Sequence, residues 1–155
     1  MKNSFLFALR RSVPVMVGYF PVGIAYGILM AKLGYNFLWS AISSLVVYAG
    51  SLQMLMVSFL ANNAPLITVA ITALLLNSRH IFYGISLIDT YKGAGKKKLY
   101  MIFGLTDETY SLVSREQAPE GIPFHRYCLL VSFFDQCWWV AGTALGALAG
   151  DLLPL

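Results

Sequence analysis

Residues 74–88 read LLLNSRHIFYGISLI, and this stretch decides how the rest of the chain is interpreted. Its flanks are apolar and typical of a lipid-soluble helix, yet its middle holds four polar side chains: Asn77, Ser78, Arg79 and His80. Ionisable side chains at membrane depth usually face a protein interior or water, and they often mark a transport route. We therefore expect this stretch to line a route across a membrane.

The composition of the whole chain favours lipid as the main solvent. Hydrophobic residues make up 58% and charged residues 12% of the 155 residues, and the mean hydropathy is +0.68. Soluble domains carry about 25% charged residues. The formal net charge of +4 does not indicate a nucleic-acid partner, because the basic residues lie at the ends of apolar runs and suit anionic headgroups. The pattern predicts an all-α protein that crosses the lipid bilayer several times.

Apolar runs predict candidate membrane segments within one transmembrane domain over residues 1–155. Their bounds are 13–31, 37–60, 65–88, 99–113 and 127–148. The fourth is too short to cross alone, since its length as a helix is only about 22 Å. Basic residues near the N-terminus and in the 92–98 loop both favour the cytoplasmic side. Three full crossings between these two basic regions would place them on opposite sides of the membrane, so we expect one intervening run to be re-entrant or broken.

Helix-breaking and small residues predict where helices are discontinuous or closely packed. Pro21 lacks a backbone donor, which predicts a kink or break near residues 19–23. Gly23 and Gly27 permit close helix contact and are also candidates for substrate contact. The second segment adds further candidates for a break or substrate contact: Tyr48, Gly50, Ser51 and Gln53. The run at 23–27 resembles residues 142–146, either as an internal repeat or through chance recurrence of small residues.

Polar residues inside the apolar segments are the candidates for a substrate or proton pathway: Asn77, Arg79, His80, Asp107, Glu108 and Asp135. Asn77 and His80 share one helix face, either for function or as hydrogen bonds between helices. Arg79 favours function, because its insertion at depth costs about 2.5–3.5 kcal/mol. Asp107 either pairs with Arg79 or His80 or lies at a solvated helix end. Asp135 is either an intramembrane or an interfacial acid.

At residues 77–80 either one helix continues through the membrane or two half-helices meet. Signatures of enzymes are missing from the sequence, which contains no GxSxG, HExxH, Walker or dinucleotide-binding motif. We therefore expect no catalytic residue and no metal ligand. A membrane hydrolase without such a motif, a channel-like pore and a non-transporting assembly subunit remain as alternatives to a transporter.

Five motifs follow one another along the chain: GYFPVGIAYG at 18–27, YAGSLQ at 48–53, NSRH at 77–80 with Tyr83 and Gly84, LTDETY at 105–110, and Trp139 with Gly142 and Gly146. In order and spacing they resemble the AzlC family, the large subunit of branched-chain amino acid exporters. Met54 stands where the family often has Phe. The chain resembles the N-terminal two-thirds of family members, so we expect it to be incomplete at its C-terminus.

The resemblance implies a multi-pass secondary transporter of the inner (cytoplasmic) membrane. It implies export of valine, leucine, isoleucine or methionine, a small AzlD-type membrane subunit as partner, and no cofactor. A mechanism follows as a hypothesis. The substrate carboxylate would sit at a helix N-terminus freed near Pro21 and Gly23 or against Arg79. Its ammonium would meet Asp107 or Glu108, and protons would move through His80 and a carboxylate.

Overall fold

A computed structural model describes residues 4–115, 118 and 121–152. These residues form eight α-helices. Their bounds are α1 Ser4–Lys32, α2 Phe37–Val46, α3 Gly50–Ala61, α4 Leu66–Asn77, α5 Arg79–Ser86, α6 Lys97–Phe103, α7 Asp107–Arg115 and α8 Phe124–Leu152. No β-strand occurs among the described residues. The predicted all-α class with discontinuous helices is confirmed.

Three helical stretches are long and apolar enough to cross a membrane: Ser4–Lys32, Leu66–Ser86 and Phe124–Leu152. The middle stretch combines α4 with α5, and its large apolar side chains are exposed, as Leu66 shows with 86% exposure. A helix that is apolar all round and unburied suits lipid rather than water. α2 and α3 are apolar but shorter.

Of the kink or break predicted near residues 19–23, the break is not observed, and a kink there stays a prediction. α1 continues without interruption through both Pro14 and Pro21. A proline removes a single backbone donor, and the surrounding hydrogen bonds of a long membrane helix tolerate that loss. No helix N-terminus is therefore freed near Pro21 and Gly23.

Helices are interrupted at other places along the chain. The second predicted segment divides at residues 47–49, where Tyr48 has a φ of 41°, a value that ends helical geometry. The fourth segment divides at residues 104–106. Between α4 and α5 only Ser78 intervenes; its backbone stays helical, and its Oγ donates to the Leu75 carbonyl at 2.7 Å. Two helices thus adjoin at Ser78.

The described residues divide into two compact units. The first unit comprises residues 4–16 and 79–136, and the second comprises residues 17–78 and 137–152. α1 and α8 contribute to both units, because each unit takes in part of their length. The single transmembrane domain over residues 1–155 stays a prediction.

In the second unit, α1 and α8 pack through glycine. A Cβ atom added at Gly27 would lie 2.2 Å from the Thr143 carbonyl oxygen, and one added at Gly146 would lie 2.1 Å from that of Ile24. Backbone thus meets backbone where any larger residue would clash. The similarity between residues 23–27 and 142–146 has a packing explanation, because the two runs are the two faces of one contact.

Candidate functional site

Arg79 and Asp107 form an ion pair in the first unit. Arg79 begins α5 and Asp107 begins α7, and the bond joins Arg79 Nη1 to Asp107 Oδ2. The first turn of a helix favours an acidic side chain, because the backbone N–H groups there are positive. Of the two alternatives considered for Asp107, pairing with Arg79 is the one observed. This pairing also offsets the charge of a guanidinium placed within an apolar stretch.

Aromatic rings enclose one side of this pair. The Tyr83 and Tyr110 rings stack with their centroids 4.4 Å apart, and the Ser86 hydroxyl donates to the Tyr110 hydroxyl at 3.1 Å. The His80 ring lies edge-on to Tyr83, with 5.9 Å between centroids. We name Arg79, His80, Tyr83, Asp107 and Tyr110 the charged cluster. It brings an acid, a permanent cation and an imidazole together.

A cavity of about 410 Å³ adjoins the charged cluster in the same unit. It shares Ser86 and Tyr110 with the contacts just described. Its lining mixes hydroxyl and apolar side chains: Ser86, Leu87, Thr90, Tyr110, Val113, Ser114 and Phe124. Small-molecule sites typically combine apolar walls with a few polar groups in a space of about 300–1,000 Å³. The cavity therefore suits a small amphiphilic molecule.

Two predicted pathway residues lie outside the charged cluster. Glu108 is exposed on α7, beside Asp107. Asn77 is half-buried at the end of α4, in the second unit. The structure therefore brings Arg79, His80 and Asp107 together, and a place of Asn77 and Glu108 on the pathway stays a prediction.

Asp135 is fully buried within the first unit. The Thr109 hydroxyl donates to Asp135 Oδ2 at 2.7 Å, and the Thr106 hydroxyl lies 3.1 Å from that of Thr109. Thr106 also accepts from the Thr109 backbone N–H at 3.3 Å, which caps α7. Asp135 is thus an acid enclosed by the protein, and no basic side chain pairs with it in the part of the chain that the structure describes.

A buried polar network lies in the second unit. The Trp139 indole N–H donates to Gln53 Oε1 at 2.9 Å, and Gln53 Nε2 donates to the Ser44 hydroxyl at 3.0 Å. Ser44 in turn donates to Thr143 Oγ1 at 2.9 Å. We name these four residues the Gln53 network. Sequence reasoning selected Gln53 but not Ser44 or Thr143, although Trp139 and Thr143 share a face of α8 at a spacing of four.

The N-terminus of α3 lies beside the Gln53 network. Gly50 begins α3, and a Cβ atom added there would lie 3.2 Å from Trp139 Cη2. The N-cap residue, Ala49, provides no side-chain hydrogen bond to the first turn. Uncapped N–H groups at a helix start attract anions. Tyr48 is buried and Ser51 is exposed, whereas Gly23 and Gly27 lie in the contact with α8 and not in an open site.

Comparisons with known proteins agree on one family. A family profile described as AzlC protein matches residues 14–153. The chain is 36% identical to the branched-chain amino acid transport protein AzlC of Bacillus subtilis, a match that covers 96% of this chain and 58% of that protein. It is 38% identical to an uncharacterized membrane protein of Haemophilus influenzae, covering 92% and 59%.

A third relative is the inner membrane protein YgaZ of Escherichia coli, which is 29% identical over 96% of this chain and 62% of its own length. The chain thus spans about three-fifths of the length of these curated relatives. No solved structure matches the chain significantly.

Proposed function

This chain belongs to the AzlC family, and from that premise we propose that it acts in a secondary transporter that exports branched-chain amino acids across the cytoplasmic membrane. The relative from Bacillus subtilis is named as a branched-chain amino acid transport protein. The observation that carries the proposal is the Arg79–Asp107 pair. Arg79 lies within a helical stretch that is able to cross a membrane. Membership of this family also confirms the prediction that the chain is not an enzyme.

The charged cluster suits the substrate because valine, leucine, isoleucine and methionine are zwitterions with apolar side chains. Arg79 complements a carboxylate and Asp107 an ammonium group. In the absence of substrate the two side chains neutralise each other. Their side chains are 38% and 36% exposed, so both charged groups can be reached by a ligand. A zwitterion can therefore separate them and take both charges.

A second place for the substrate carboxylate is the N-terminus of α3. The N-cap residue, Ala49, gives its first turn no side-chain hydrogen bond, and the Trp139 ring beside Gly50 offers an apolar surface to the substrate side chain. This place replaces the N-terminus expected near Pro21 and Gly23. Tyr26 stacks on Trp139 with 6.3 Å between ring centroids, which fixes the orientation of the indole.

Protons drive export in this proposal. An imidazole can accept and donate a proton through its two ring nitrogens, so His80 is the group proposed to exchange protons with water during each transport cycle. The enclosed carboxyl group of Asp135 is a second member of the proposed proton route. A small AzlD-type membrane subunit completes the transporter, and the exposed apolar faces of α4 and α5 leave room for lipid or this partner.

The experiment is counterflow of labelled leucine in vesicles whose leucine transport depends on this protein, with and without the small subunit. We expect exchange that saturates with leucine concentration. Its initial rate should fall at least tenfold in Arg79→Gln and in Asp107→Asn. Arg115→Gln is the matched control, because it removes a basic side chain at the exposed end of α7. Flux that does not saturate would indicate a pore, and normal insertion without flux would indicate an assembly subunit.

A further inference from the structure

Buried polar atoms of the first unit that have no hydrogen-bond partner among the described residues include the Tyr91 hydroxyl, Ser132 Oγ and Asp135 Oδ1. Tyr91 is 2% exposed, and Ser132 and Asp135 are 0% exposed. More than nine in ten buried polar groups in proteins are paired, because an unpaired one is destabilising. Three within one unit therefore require a physical reason.

Two of these atoms, Ser132 Oγ and Asp135 Oδ1, belong to one face of α8. Cys128, Ser132 and Asp135 are spaced by four and three residues, which places them on the same side of the helix over about 10 Å. Tyr91 lies close enough to the Cys128 thiol for the two groups to interact electrostatically. We name Tyr91, Cys128, Ser132 and Asp135 the α8 polar row.

The α8 polar row begins near the loop that follows α5. His125, in the first turn of α8, lies 3.0 Å through its Nε2 from the Thr90 carbonyl oxygen. This contact fixes Tyr91 at the N-terminal end of α8. Beside the middle of the row lies the interruption between α6 and α7, because a Cβ atom added at Gly104 would lie 3.1 Å from Ser132 Cβ. The row therefore connects the 89–98 loop with the enclosed acid.

We propose that the α8 polar row is a path along which buried water delivers protons to Asp135. Hydroxyl groups both donate and accept, so they can pass a proton through intervening water. Buried water occupies sites where it finds polar partners, and the row supplies unpaired ones at both ends and in the middle. This inference rests on the proposed function, since it gives a route to the proton that drives export.

Asp135 is the terminus of this path because its surroundings favour exchange of a proton over permanent charge. Its described hydrogen-bond partner is the neutral Thr109 hydroxyl. A buried carboxylate is unfavourable without a cation, and among the described residues no basic side chain pairs with Asp135. Glu108 from α7 acts electrostatically on Asp135. Within the row, Cys128 acts on Tyr91. Reprotonation through the row restores the acid.

The first test follows the exchange of the Asp135 proton for deuterium by infrared spectroscopy of membranes containing the protein. The protonated carboxyl band is assigned by its loss in Asp135→Asn. We expect exchange to slow at least tenfold in Ser132→Ala and in Tyr91→Phe. Ser12→Ala is the matched control, because this buried serine of the same unit donates to its own helix at Leu9 O, 2.9 Å away.

Unchanged exchange in both row variants would overturn the path, and so would the lack of a protonated Asp135 band in the unmodified protein. A second test compares two modes of leucine transport in Ser132→Ala. We expect proton-driven efflux to fall at least fivefold while counterflow persists. Efflux driven by sodium and indifferent to pH would also overturn the path. If the unmodified protein moves no leucine, the proposed function fails, and the infrared comparison still decides the path.

Discussion

Arg79 is the residue whose position most needs a physical explanation. A guanidinium cannot lose its proton in a protein, so depth in a membrane requires a partner or water. Asp107 supplies the partner, and the helix start at α7 favours the negative charge of that partner. The pair remains partly exposed, which keeps it available to a ligand.

We expect the effects of Arg79→Gln and Asp107→Asn on leucine transport to be strongly non-additive. Each single variant leaves an unpaired charge and loses at least tenfold in initial rate, whereas the double variant loses little more than either one. Leucine exchange in vesicles, normalised to the amount of inserted protein, measures the effect. Losses that multiply in the double variant would show that the two side chains act independently.

His80→Ala should separate two modes of transport. The substitution removes the imidazole that is proposed to exchange protons but keeps the ion pair, so efflux should no longer respond to a pH gradient while counterflow continues. The measurement is the initial rate of efflux from loaded vesicles at several external pH values. Gradient-dependent efflux at the unmodified rate would remove His80 from the mechanism.

Gln53 holds its network together through both ends of its side-chain amide. Gln53→Leu leaves the Trp139 indole N–H without its acceptor and Ser44 without a donor, in a fully buried place. The expected loss is about 1–3 kcal/mol of unfolding free energy. Thermal unfolding in detergent measures it against Ser51→Ala, an exposed substitution on the same helix. Equal stability of the two variants would contradict the network.

At the scale of the element, the glycine contact between α1 and α8 gives the clearest prediction. Gly146→Ala places a methyl group against the Ile24 backbone, which cannot move without separating the helices. We expect a loss of about 1–3 kcal/mol. Gly18→Ala is the control, because no atom lies within 4 Å of its added Cβ and alanine favours helix. Similar unfolding temperatures for both variants would contradict tight packing.

The places where helices end show what the sequence could and could not predict. Apolar runs located the helical segments because lipid requires long apolar helices. Proline at position 21 does not end a helix, because a local breaker signal does not outweigh the hydrogen bonds of a long helix. The interruption at residues 47–49 includes Tyr48, which the sequence offered as a candidate for a break or substrate contact, but the sequence did not predict the positive φ at this tyrosine. The interruption at residues 104–106 does have a local signal, because Gly104 is typical of the end of a helix and Thr106 is typical of the N-cap of the next one.

The candidate site shows the same division. From the sequence, Asp107 was expected either to pair with Arg79 or His80 or to lie at a solvated helix end, and the structure shows the pair with Arg79. The sequence could not identify Thr109 or Ser132 as residues beside Asp135, because the presence of a hydroxyl side chain on a helix does not show which surface it faces. The partners of buried acids become visible only when the packing of several helices is known.

At the scale of the whole molecule, two observations define the account. The chain matches its curated relatives over about three-fifths of their length. It contains three helical stretches able to cross a membrane. The substrate, the direction of transport and the small partner subunit are proposals for the complete transporter.

The most direct test of the central claim, that the charged cluster lines the substrate route, is substrate protection of a thiol placed within it. His80→Cys, in a chain with Cys128→Ala and Cys137→Ala, keeps the Arg79–Asp107 pair and introduces one reactive group. We expect a small water-soluble thiol reagent to modify this cysteine, and leucine to slow the modification at least fivefold while glutamate does not. Modification at an unchanged rate in the presence of leucine would contradict the claim.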